Sequence, residues 1–179
     1  MVSYNMRPQD VALLLHKLHE EIERKQMLSK DLATLLRLSS AEVSTGLRRL
    51  EYAQLLQKYG PKEWHVQRMA LVEFLEYGLP YTFPVIYGRV GVGVATGVSA
   101  PPFDQKIIST ETWVWAHPEG TARGSTVVPL YPTLVEVALI NPKLHSLYAA
   151  AEIFRIGGAR EKQEARIFFK ELATHHSNA

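Results

Sequence analysis

The chain has no cysteine and only three aspartates, Asp10, Asp31 and Asp104, among its 179 residues. The first absence excludes a disulfide framework, a thiolate zinc site and a cysteine nucleophile. It also fits a reducing compartment, and a cytoplasmic protein is the expectation. The second leaves little material for the paired aspartates that hold metal in nucleotidyl transfer. No apolar run approaches the 18 or more residues of a membrane span, and the opening MVSYNMRPQD has no apolar signal core. No membrane partner is expected. No serine stands in a G-x-S-x-G elbow, and no Gly-Lys-Ser/Thr occurs. Neither catalysis nor a cofactor is expected.

Charge of one sign is also missing. The net charge is +2, so any basic surface must come from local clustering. Residues 37–68 hold such a cluster, with six Lys and Arg against three Asp and Glu.

What is present begins with helical periodicity. Val11, Leu14, Leu15, Leu18 and Ile22 recur at helical spacing after Pro8, a residue suited to the first position of a helix. A second helix is expected from Ser29 as N-cap, with Leu32, Ala33, Leu35 and Leu36 on its buried face. The chain breaks at Arg37–Ser39. Ser39-x-x-Glu42 then has the form of a capping box, which restarts a helix at about residues 40–52 with Val43, Leu47 and Leu50 inward. The turn signal Tyr59-Gly60-Pro61-Lys62 separates two short strand-like runs, a hairpin. Gln67–Gly78 reads as a fourth helix ended by its glycine.

Helix, tight turn, helix and hairpin in this order resemble the DNA-binding half of a MarR-like winged helix-turn-helix transcriptional regulator. "LSKDLATLLRLSSAEVSTGLRRLEYAQLL" and the wing "QKYGPKEWHV" carry the resemblance, which covers residues 7–78. The chain departs from the family pattern at Ala53-Gln54, where glycine is frequent. The resemblance implies a sequence-specific regulator, a homodimeric repressor bound to double-stranded DNA. A major groove about 12 Å wide admits one helix. Base edges would be read by Ser40, Glu42, Ser44, Thr45 and Arg48, side chains that donate and accept. Lys30, Arg37, Arg49, Lys58, Lys62, Trp64 and His65 would lie on the backbone or the adjacent minor groove. Trp64 is equally suited to pinning the hairpin to the core. The alternative is a protein-interaction module, such as an antitoxin or scaffold partner in a two-protein system, using the winged helix for autoregulation or protein contact.

The expected fold class is mainly α (α+β). The winged helix over residues 1–78 precedes an irregular Pro/Gly-rich linker or lobe with short strands over 79–132, then a helical region over 133–179 that could form a dimer or partner surface. "GRVGVGVATG" is one residue too long for a dinucleotide fingerprint and reads as a connector. "YGLPYTFPVIYG" reads as packing more readily than as a small-molecule pocket. His16 and His19 at i, i+3 lack a second metal-binding pair. In "FRIGGAREKQEAR" the cations suit a solvated face, a partner surface or an extra phosphate contact. The last helix has an apolar side, with Ile167, Phe168 and Phe169, and the resemblance implies a dimer seam there.

Overall fold

Pro8 opens α1 (Pro8–Glu23) in a computed structural model that describes residues 5–61 and 63–174. Asp10 accepts the Arg7 backbone N–H at 2.8 Å, which satisfies an otherwise orphan donor of the first turn. The predicted stripe is inward: Val11, Leu14, Leu15 and Leu18 are buried. Helix α2 (Ser29–Leu36) begins one residue earlier than expected. Leu28 is its extended N-cap, and Ser29 is its first helical residue and caps nothing. Arg37 closes α2 in the left-handed conformation (φ 53°), which turns the chain sharply into α3 (Ser40–Tyr52). The capping box forms as predicted. The Glu42 N–H donates to Ser39 Oγ at 3.1 Å, and the Ser39 N–H donates to the Glu42 carboxylate at 2.8 Å.

At the end of α3 Gln54 has φ 59°, a left-handed position that favours glycine. The departure noted in the sequence therefore leaves the turn intact and puts its strain on a glutamine. Strands β1 (Leu56–Lys58) and β2 (Trp64–Val66) pair antiparallel, with Leu56 opposite Val66 and Lys58 opposite Trp64. Glu21 of α1 ties the hairpin down. It accepts the Val66 N–H at 2.6 Å and pairs with Arg68 at 3.0 Å.

The chain divides into two compact units, Met1–Leu71 and Val72–Ala179, so the boundary falls earlier than residue 78. The helix predicted to stop at Gly78 does not stop there. It runs as α4 (Arg68–Glu73), widens into a π-helical turn over Phe74–Gly78 and continues as α5 (Leu79–Thr82). Pro80 falls in the first turn of α5, directly after the π-helical turn.

The segment expected to be irregular contains an ordered sheet. Strand β3 (Tyr87–Ala95) pairs antiparallel with both β4 (Trp113–Ala116) and β5 (Ala122–Val127), and β4 pairs parallel with β5, closing a three-stranded barrel. "GRVGVGVATG" is thus mostly strand, and neither linker nor phosphate loop. Glycines on two strands permit the closure: a Cβ on Gly93 of β3 would run into the Trp115 carbonyl, and one on Gly124 of β5 into the Thr112 carbonyl.

Three helices complete this unit: α6 (Thr133–Ile140), α7 (Pro142–Ile156) and α8 (Ala159–Thr174). The break between α6 and α7 is a cap, in which the Asn141 side chain accepts the N–H groups of Lys143 and Leu144 at 3.1 Å. The apolar side of α8 is used within the unit. Phe169 is buried 6.2 Å from Phe154, and Phe168 packs edge-on against Phe103 at 5.3 Å. The whole is a mixed α and β fold. No helix among the described residues is long and apolar enough to cross a membrane.

Candidate nucleic-acid interface

A cleft of about 530 Å³ lies between α3, the hairpin, the start of α2 and the segment before it. Its position follows from the local sequence. The tight turn at Arg37 presents the first turns of α3 beside the start of α2, and the register Lys58 opposite Trp64 places both at the turn end of the hairpin. Ser40, Ser44 and Arg48, at i, i+4 and i+8, form one exposed line of α3 along the cleft. Lys30 and Lys58 are exposed at its rim. Lys58 Nζ stands 5.2 Å from the centroid of the Trp64 ring, so the half-buried indole holds a cation in place. Lys17, Lys30, Arg48 and Lys58 line the cleft, and among the described residues no Asp or Glu does.

Other expected residues lie elsewhere. Thr45 and Arg37 are exposed but do not line the cleft. Glu42 is turned back onto Ser39, whose backbone N–H holds its carboxyl below the usual range, so the carboxylate works as a cap. His65 faces the other side of the hairpin. It bonds Glu63 at 3.0 Å, with Glu21 at 3.9 Å and the Tyr59 ring edge-on at 5.0 Å. Lys62 lies outside the described residues.

Arg49 requires a correction. It is no phosphate contact: it is 4% exposed, and its guanidinium grips Asp10 of α1 through two bonds, Nε to Oδ2 at 2.7 Å and Nη2 to Oδ1 at 2.6 Å. Two consecutive arginines on a helix point about 100° apart. Arg48 takes the cleft and Arg49 the α1 side. Its partner is 39 residues away, beyond the reach of any local pattern.

Sequence reasoning missed Lys17 and the segment Gln26–Ser29 as lining. Lys17 bonds Glu20 at 2.9 and 3.1 Å, and burial raises the Glu20 carboxyl despite that lysine. Its helical spacing to Glu20 was a signal; its position in the cleft was not. Next to it, burial drives the His16 imidazole down to about 3, with His19 and Lys17 adding to the shift. His16 is therefore neutral in the folded protein. No group of three or more His, Asp or Glu able to hold a metal occurs among the described residues.

The second unit has a buried polar cluster of another kind. Glu152 accepts the Trp115 indole N–H at 3.0 Å and Arg155 Nη1 at 2.6 Å. Arg155 also donates to the carbonyls of Phe83 at 2.9 Å and Pro84 at 3.2 Å. Arg166 is likewise engaged, with Glu76. Neither arginine is available to a phosphate. No protein-family model, no curated protein and no solved structure matches the chain.

Proposed function

We propose that the first unit is a winged helix-turn-helix that binds duplex DNA, and that the chain is a sequence-specific transcriptional regulator, acting as a homodimeric repressor. The observation that carries this reading is the cleft, with Lys30, Arg48 and Lys58 on its walls, no Asp or Glu among its described lining residues, and the polar line of α3 running along it. A helix is about 10–12 Å across with its side chains, which suits a major groove of about 12 Å. Arg48 can bond a guanine through two atoms, and Ser40 and Ser44 adapt to several bases. Lys30 and Lys58 flank this line and suit phosphates on either side. Few phosphates are neutralised by one copy, so a single chain binds weakly and two copies on a palindrome supply the missing affinity.

The test is fluorescence anisotropy of the full chain on its own upstream duplex and on a scrambled duplex, at about 50 and 150 mM salt. The upstream duplex should be preferred at both. Arg48→Ala should remove roughly 1–3 kcal/mol of that preference, and Lys58→Ala should weaken both duplexes alike and lower the salt slope by about 1. Equal binding to both duplexes, or to neither, rejects the reading. Function then passes to a protein partner on the second unit, where Tyr81, Ile86, Tyr87 and Val90 are exposed.

A further inference from the structure

We propose that Arg49 is the positioning residue of α3, and that its two-bond grip on Asp10 sets the rotation of the helix and so the direction in which Arg48, Ser40 and Ser44 face. The proposal rests on the DNA-binding reading and adds a residue that touches no DNA.

Three observations converge on one point of the α1–α3 crossing. Both Asp10 oxygens bond the guanidinium, and Oδ2 also accepts the Arg7 N–H, so the carboxylate cannot swing. Asp10 is fully buried. Gly46, one turn before Arg49, lets the helices meet there: a Cβ would stand 2.5 Å from Leu13 Cδ1 and 2.8 Å from Asp10 Oδ1.

Apolar packing sets the α1–α3 crossing by shape, with a scatter of about 15–20° in angle. A planar fork meeting a carboxylate through two bonds is directional. At a helix-surface radius of about 6 Å, a turn of about 20° moves a side chain by about 2 Å, more than a hydrogen bond to a base tolerates. Stability does not require the ion pair, since buried pairs are commonly replaced by apolar residues of similar volume without loss. Direction does.

The test compares the full wild-type chain with Asp10→Leu/Arg49→Met and with Arg49→Lys, on the upstream and scrambled duplexes, below the melting temperature of each. The double variant loses the Asp10 cap on the Arg7 N–H, so its melting temperature should fall slightly, and it should keep its affinity for scrambled DNA. Its preference for the upstream duplex should fall about tenfold, and Arg49→Lys should lose part of it, because lysine keeps the charge without the fork. Full preference in either folded variant overturns the proposal. If the double variant fails to fold, Arg49→Lys decides. A wild-type chain that shows no preference rejects the DNA reading itself, a failure visible before any variant is made.

Discussion

The first unit pairs Lys58 with Trp64, six positions along the chain, whereas the second pairs Tyr87 with Val127, forty positions along. Their buried ion pairs show the reverse. Asp10 and Arg49 are 39 residues apart, and Glu152 and Arg155 lie on one turn of α7. In the first unit, local signals make the elements and one distant pair orients two of them. In the second, distant strand pairing makes the element itself, and a local pair then clips the segment at Phe83 and Pro84 to it. Each unit is therefore most sensitive to change at its long-range connection.

The largest effect is expected at the barrel. Gly93→Ala sets a methyl against the Trp115 carbonyl, a backbone group that cannot move aside without opening the β3–β4 pairing. A loss above about 4 kcal/mol is expected, enough to unfold the second unit. The measurement is the indole N–H resonance of Trp115, which should lose its native shift. A native-like resonance in this variant would break the contrast, because the barrel would then tolerate side chains at its closure.

Next in size is Asp10→Ala, which leaves the Arg49 guanidinium buried and unpaired. A loss of about 3–5 kcal/mol is expected from denaturant unfolding of the first unit. A loss below about 1 kcal/mol would mean that water reaches Arg49 and that the pair orients nothing.

Acid should act on the first unit through His16. Its folded pKa of about 3 lies below the ordinary 6.5, so the unfolded chain binds the extra proton between these values. The stabilisation is complete above pH 6.5 and is lost as pH falls toward 3, by at most about 1.4 kcal/mol per pH unit. At pH 5 the first unit should be weaker by up to about 2 kcal/mol. His16→Leu should flatten that part of the stability profile; an unchanged slope in this variant would assign the acid sensitivity to other groups.

The smallest expected effect is a gain. Gln54→Gly relieves the left-handed strain at the end of α3 and should add about 1 kcal/mol, read as a rise in melting temperature. No rise would show that the turn into β1 is held by its neighbours at little cost.

Much of the first unit was legible because its signals lie within a few residues of each other. Pro8, the Ser39–Glu42 box, the apolar stripe Val43–Leu47–Leu50 and the Gly60-Pro61 turn each describe a structure that forms nearby. Ser40, Ser44, Arg48, Lys30, Lys58 and Trp64 line one cleft, each within a few residues of one of those signals. The errors share a cause. Ser29 looked like a cap because its type suits one, but the extended residue is Leu28. Arg49 looked solvated because charge normally is, and Asp10 was out of view. Gly78 looked like a stop because isolated glycines often are, but the π-helical turn carries the chain through.

By itself the sequence determined the first three helices, the Ser39–Glu42 cap and the hairpin, because each depends on side chains within about four residues or on one short turn. Only the tertiary structure decided which of two adjacent arginines is buried, that a glycine-rich run is a strand of a closed barrel, and that α8 covers its apolar side with its own unit's Phe103 and Phe154. Those outcomes depend on partners tens of residues away. Loop closure makes such contacts costly one at a time, and they form only when the whole unit packs.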